Sequence, residues 1–381
     1  MALAAESQLA TYSERFHREL VIPQLINFDW RPDYEAGKGA TTSIQVFAPG
    51  IVGKGSHIGT EAQRQLISRN IPATMEQYHG AVGVNSIDQT TLVSDFEKAV
   101  EPTVAAHVYS IEKDAKEAIG TAVSHVKEIS AADLVNEVAL AIGRIKNNSL
   151  ESQVNVLMSP ELMSMMAAKL LDKFNAPTPA LEAFEGKIRR WQGASDIGQS
   201  IAMNGFKTGT IPTTLTTSAM TAAGNSIPIT NTTQAYPKGT ISIKLGAIAF
   251  DPIKGATGAD LIVTNAADMA SGATAFPLSF KLEAGATCSA LPTAGAKQVV
   301  EKSDTSYGEI YVFRKAAVAG RSGVLTGNSV GKQQFRPNGG ISIRRWQFSN
   351  GESDFESVRF DALLAFANVY PVGVSKLLVP M

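Results

Sequence analysis

Between Ser94 and Lys127 the chain reads SDFEKAVEPTVAAHVYSIEKDAKEAIGTAVSHVK, and the apolar positions Val104, Val108, Ile111, Ala115, Ile119, Ala122 and Val126 recur every three or four residues. That spacing collects them on one face of an α-helix, so the pattern predicts a long rod with one buried stripe. The opposite face carries Glu112, Lys113, Lys116 and Glu117, with Glu112 and Lys116, and Lys113 and Glu117, as opposite charges four apart. Such pairs belong to a face that meets water or a neighbour. Ser94 and Glu97 have the spacing of a capping box, and Pro102 should kink or restart the helix. At about 1.5 Å per residue the part from Pro102 to Lys127 would be roughly 39 Å long.

The remaining pattern divides around this helix. Leu9, Tyr12, Phe16 and Leu20 form a weak amphipathic series before Pro23, which reads as an N-terminal arm over residues 1–33. Residues 34–90, with TTSIQVFAPG and IVGKGSHIGT, fit an extended hairpin, and 91–130 hold the long helix. In 131–214 a capped helix with the stripe Leu134, Val138, Ala141, Ile142 and Ile145 precedes a buried strand, VNVLM, and a helix opened by Ser159 and Pro160. Threonine, alanine and glycine then dominate, charge nearly vanishes, and alternating runs such as GTISIKLGAIAF predict a separate β domain over 215–306. Residues 307–381 resume with YGEIYVFRKAAVA, read as a strand and a short helix, and close with ISIRRWQFSNG and FESVRFDALLAFANVYP as a hairpin. The fold class expected is α+β.

Composition narrows the function. The 381 residues suffice for two or three cores, and a net charge of -1, from 34 basic and 35 acidic residues, supplies no field for nucleic acid or an anionic membrane. The single cysteine, Cys288, allows neither an internal disulfide nor a four-cysteine zinc site. The first residues lack a signal-peptide core and no apolar run reaches the ~20 residues of a membrane span, so a soluble, cytosolic product is expected.

Candidate chemistry is thin. The glycine-rich run Gly50 to Gly59 misses the phosphate-loop spacing, because Lys54 follows Gly53 and is itself followed by Gly55; a flexible hairpin tip is the better reading. His57 and His79, with Glu61 or Glu76, lack a metal-binding spacing and read as solvated side chains. Met163, Met165 and Met166 read as core filling rather than a groove, and Asp361 beside Arg359 as a surface pair. No G-x-S-x-G elbow occurs and the five histidines have no motif partner, so no catalytic, cofactor or metal residue is assigned.

Several stretches, taken in order, carry a resemblance: VLMSPELMSMM, IAMNGFKTGTIP, YPKGTISIKLGAIAFDP, YGEIYVFRKAAVA and ISIRRWQFSNGESDFESVRFDALLAFANVYPVGVSKLLV. Their sequence resembles the major capsid proteins of tailed phages, the Hong Kong 97-type fold, and most closely the coat proteins of short-tailed phages that carry an inserted β-barrel domain. The match runs from about Val84 to the end. It implies an N-arm, an extended E-loop hairpin, a spine helix, P- and A-domains and an inserted all-β domain. It further implies a shell subunit, assembled in the host cytoplasm as hexamers and pentamers into an icosahedral virion around double-stranded DNA. A scaffolding protein, a portal and a cement or decoration protein would be its partners, with no sequence-specific DNA binding, no membrane and no enzymatic activity. Some such proteins weld subunits through a lysine to asparagine isopeptide bond; Lys54 holds the position for it, but Gly53, Gly55 and Ser56 offer neither apolar cover nor charge to make the lysine neutral, so no bond is expected. Two other classes fit the composition: a β-rich virion decoration or carbohydrate-binding protein, and a hydrolase with its site in loops.

Overall fold

The computed structural model describes residues 2–28, 41–47, 68–85, 96–148, 153–171, 194–207, 215–230, 232, 234–251, 255–284, 288–295, 297–298, 305–323, 333–335, 341–350 and 355–381. They form a mixed, strand-rich α+β structure in two compact units. The first comprises Met1–Ser43, Ala73–Ala115 and Gly320–Phe366, the second Ile44–Pro72, Lys116–Ala319 and Ala367–Met381.

In the first unit, helix α1 (Ala2–Glu19) is followed by the short α2 (Ile22–Leu25), and the long helix α3 (Phe96–Gly120) begins here. The strands Ile343–Asn350 and Phe355–Asn368 pair antiparallel from Ile343↔Ala362 to Asn350↔Phe355, the closing hairpin of the sequence. Strand Glu76–Asn85 pairs with Phe355–Asn368, from Asn85↔Phe355 to Glu76↔Leu364. Leu9, Tyr12, Phe16 and Leu20 are all buried and share one core with Val104, Val108, Ile111 and Phe360. The weak series in the arm is therefore the apolar stripe of a docked helix. Tyr12 lies flat on Phe360, with ring centroids 3.8 Å apart.

The second unit is built on a six-stranded sheet in the order His125–Glu128, Val374–Pro380, Ser306–Arg314, Val154–Met158, Asp196–Gln199, with Phe206–Lys207 also paired to Ser306–Arg314. Val154–Met158 is buried along its whole length, as a strand covered on both faces should be. Helices α4 (Leu134–Asn148) and α5 (Pro160–Leu171) cover one face, and Leu134, Val138, Ile142, Ile145, Met163 and Met166 pack there with Val156, Ile310 and Val312. The methionines fill a core.

The all-β excursion leaves this sheet from Phe206–Lys207 and returns at Ser306, and the two ends pair on adjacent rungs, Ser306↔Lys207 and Tyr307↔Phe206. Gly205 lies against the Tyr307 carbonyl, where a Cβ would collide with backbone, which explains the glycine of the IAMNGFK run. The excursion contains the two-stranded ribbons Gly224–Pro228 with Ala275–Leu282 and Ala249–Asp251 with Gly255–Ala259. Its four-stranded sheet runs Lys297–Gln298, Ser242–Lys244, Ile262–Thr264, Ala122–Val123. The last strand comes from outside the excursion, and Ala122 and Val372 belong to the same core as Ile227, Ile243, Val263 and Phe276. A domain expected to have its own core therefore shares one with the chain beside it.

Helix α3 runs unbroken through Pro102 and stops at Gly120, seven residues short of the Lys127 that the periodicity suggested. Two features stop it. Asn368 donates its amide to the carbonyls of Ile119 (3.1 Å) and Ala122 (2.6 Å), satisfying groups that a further turn would have used. The β-branched Val123 and Val126 then enter strands, the second parallel to Val374–Pro380. Similarly, the helix expected after Arg314 is a single 3-10 turn, Lys315–Ala317, followed by strand Val318–Gly323. Ala317, Val318 and Ala319 are all fully buried, and the Ala317 carbonyl accepts the amides of Val369 and Tyr370 instead of closing a helical turn. The strands Thr41–Phe47 and Ser68–Thr74 pair in a two-stranded sheet, while Ser94, Gly50 to Gly59 and Lys54 lie outside the described residues.

A Cβ on Gly120 would sit 2.6 Å from the Tyr311 hydroxyl oxygen. Helix propensity favours alanine by about 1 kcal/mol, but overpacking costs about 1–3 kcal/mol. Gly120→Ala should lower stability by up to about 2 kcal/mol in denaturant unfolding, and the loss should shrink in a Tyr311→Phe background; a stabilised Gly120→Ala would mean the two groups are not in contact.

Candidate functional site

Of the residues weighed for metal or phosphate chemistry, the structure describes only His79 and Glu76. His79 and Glu76 are exposed on strand Glu76–Asn85, and His57 and Glu61 lie outside the described residues. Among the described residues no group of three or more His, Cys, Asp or Glu side chains is placed to hold a metal ion, and no helix is long and apolar enough to cross a membrane. The structure instead concentrates ionisable groups in two buried clusters, one in each unit.

In the second unit Glu309, 3% exposed, projects from the middle of strand Ser306–Arg314. Lys376, on the neighbouring strand opposite Tyr311, places its ammonium 2.5 Å from Oε1, and Lys116, in the last turn of α3, contacts Oε2. The Tyr311 hydroxyl donates to Oε1 (3.3 Å), and Lys116 also donates to the Asn204 carbonyl (3.3 Å). The Lys376 ammonium lies 5.2 Å from the centre of the Phe206 ring and 5.6 Å from that of Tyr311. Burial alone would raise the carboxyl's pKa, but Lys376 and Lys116 outweigh it and hold it at about 2. Burial and the Glu309 charge push the Tyr311 phenol well above its usual value.

In the first unit Asp361, fully buried, accepts from Arg344 through Nε (3.0 Å) and Nη2 (2.6 Å), both on Oδ2, and from Arg359 Nε (2.5 Å) on Oδ1. Arg344 is its cross-strand partner and Arg359 lies two residues back on the same face. Trp346, opposite Arg359, has both guanidiniums 5.8 Å from its ring centre. The reading of Arg359 and Asp361 as a surface pair is thus corrected: Arg344 supplies the second guanidinium that makes burial of the carboxylate tolerable. The face of α3 expected to meet water or a neighbour meets neighbours at three of its four charges. Glu112 is 1% exposed and accepts the amides of Val21 (2.5 Å) and Ile22 (3.1 Å) at the start of α2. Lys116 turns to Glu309, Glu117 pairs with Lys238, and Lys113 alone of the four is exposed.

These clusters bind elements together. A carboxylate held near 2 by two ammoniums is a poor general base, and both lysines are engaged by it. Sequence reasoning passed over Glu309, Lys376 and Arg344, and gave Lys116 a different partner, Glu112. Two of them carried a signal: Glu309 in YGEIYVF and Lys376 in VSKLLV are lone charges in apolar strand runs, where an ionised group must have a partner.

No family model matches the chain, and no curated protein matches it. Among solved structures it is similar to the capsid of Ralstonia phage GP4, with a TM-score of 0.48 and 7% identity over 93% of this chain and 86% of that one. It is also similar to a structure from Mycobacterium phage Che8, with a TM-score of 0.47 and 11% identity over 94% and 90%. A third is the capsid of cyanophage P-SCSP1u, with a TM-score of 0.44 and 10% identity over 90% and 84%. None of them carries a residue role to this chain.

Because the folded pKa of Glu309 lies below the unfolded value of 4.5, its contribution is fully present above that pH and is lost as pH falls towards about 2. The whole contribution amounts to about 3 kcal/mol. Unfolding by urea across this window should show that slope, and Glu309→Gln should remove it while lowering stability at pH 7 by about 3–5 kcal/mol, since two buried lysines lose their partner. An unchanged slope in the variant would place the acid-sensitive group elsewhere.

Proposed function

We propose that this chain is a major capsid protein of the Hong Kong 97 type, a shell subunit and not an enzyme. The order of its elements carries the reading. An arm helix, a two-stranded hairpin, a 25-residue helix, an α/β patch, an all-β excursion and closing strands follow one another along the chain as in the resemblance drawn from its motifs. In this reading residues 1–33 are the N-arm, 34–90 the E-loop, 91–130 the spine helix, 131–214 and 307–381 the P- and A-domain segments, and 215–306 the inserted domain.

Physical considerations favour the same reading. A shell subunit repeated many times against a genome should not attract phosphates strongly, because such contacts add up steeply, and a net charge of -1 meets that condition. A subunit that must keep its shape under load gains from buried, fully engaged charges such as those around Glu309 and Asp361. The subunits would form hexamers and pentamers that close around double-stranded DNA. A scaffolding protein and portal would act during assembly in the host cytoplasm, and a cement protein could add to the finished virion.

Co-expression with a scaffolding protein and negative-stain imaging test this directly. Closed shells sedimenting as megadalton particles are expected, and a chain that stays monomeric at high concentration, alone and with scaffold, overturns the reading. Replacing Gly50 to Gly59 by a short linker should abolish particles and leave the circular dichroism spectrum unchanged. Loss of the fold in that variant would make the segment an internal core element.

A further inference from the structure

His107 lies on the buried face of α3, 3% exposed, where α1 crosses it. The Tyr12 hydroxyl is 2.7 Å from Nδ1, and the Phe16 ring is centred 5.1 Å from the imidazole. Nε2 is buried without a hydrogen bond of normal geometry. The apolar stripe of α1 is thus seated on a buried imidazole, whose charged form burial disfavours.

We propose that His107 makes α1 an acid-releasable latch: protonation of the imidazole undocks α1 from α3 and from strand Phe355–Asn368. The release follows from the surroundings. On the α1 side the ring meets the Tyr12 phenol and the Phe16 ring, with His17 packed edge-on behind Phe16. Strand Glu76–Asn85 presents the Tyr78 backbone and His79, and strand Phe355–Asn368 presents Asp361. On α3 itself Glu112 is already engaged by the amides of Val21 and Ile22. Among the described residues Asp361 is the carboxylate that draws a proton to the ring, and its charge is shared by Arg344 and Arg359. A second buried cation therefore finds no free anion. Burial lowers the ring's pKa from 6.5 to about 4, with His79 adding to the shift and Asp361 and the Tyr78 backbone opposing it. Leaving the site lets the imidazolium reach water, at the cost of exposing Leu9, Tyr12, Phe16 and Leu20.

The folded pKa being the lower one, docking is at full strength above about 6.5 and weakens as pH falls towards 4. Between pH 6.5 and 4.5 the docking constant should drop on the order of forty-fold. This inference does not depend on the chain building a shell.

The test is hydrogen exchange on the full-length chain from pH 7.5 to 4.5, with intrinsic rates corrected for pH. Protection factors over residues 9–20 should fall about seventy-fold over this range, on the scale set by the ring's shift, while those of strand Ser306–Arg314 hold. In His107→Gln the pH dependence over residues 9–20 should vanish, and in Tyr12→Phe, which keeps the imidazole buried, it should persist. Unchanged protection of α1 down to pH 4.5, or the same loss in His107→Gln, overturns the proposal. Should His107→Gln fail to fold, the titration of the imidazole followed by NMR in the native chain decides: its midpoint must lie at the low-pH end of the range over which α1 protection falls, and a midpoint at or above 6.5 overturns the latch.

Discussion

A carboxylate withdrawn from water between two ammonium groups is tolerable only while all three stay in place, and Glu309 imposes that condition on much of its unit. It joins the end of α3, through Lys116, to adjacent strands of the six-stranded sheet, and Lys116 brings in the stretch at Asn204. It also specifies register. Lys376 stands opposite Tyr311, so a slip of one residue along Val374–Pro380 would turn its ammonium to the other face of the sheet and strand the carboxylate. The cluster rejects alternative pairings more than it supplies net attraction, since apolar side chains of equal volume could provide comparable stability. Asp361 imposes a similar condition on the closing hairpin through Arg344.

What was legible in the sequence was whatever depends on near neighbours along the chain. The stripe Val104, Val108 and Ile111, the capped start of α4 and the run VNVLM each carry their own period, and each became the expected element. What was not legible depends on residues far away in sequence. Ala122 and Val126 continue the helical period of α3, yet Asn368, nearly 250 positions later, takes the carbonyls that a longer helix would need. Glu112 and Lys116 satisfy the arithmetic of an exposed ion pair four residues apart, but the amides of Val21 and Ile22 and the carboxylate of Glu309 are better partners because they are themselves removed from water. Local periodicity names a buried face and is silent about charges that a distant partner draws inward.

The functional reading has the same character. No local motif announces chemistry, and the five histidines are dispersed. The order of elements is the informative quantity, and it becomes readable only when arm, hairpin, helix, patch, excursion and closing strands are taken together. On the reading proposed above, a subunit that holds a shape has no need of a cleft with perturbed acids and bases. Its ionisable groups can instead be spent inside, where they specify one packing.

The excursion that leaves at Lys207 and returns at Ser306 departs and re-enters across one pair of rungs, so the sheet beneath sees little difference between a long detour and a tight turn. Such a doorway permits wholesale exchange: lineages could swap what hangs from it without disturbing the strands that frame it. Strand Ala122–Val123 limits that freedom, because the sheet of the excursion borrows it as an edge and buries Ala122 in its core. Any graft at this point would have to bring a substitute for that borrowed edge, or else leave two residues of the host without their hydrogen-bonding neighbour, so the cassette and its host strand can only be exchanged together.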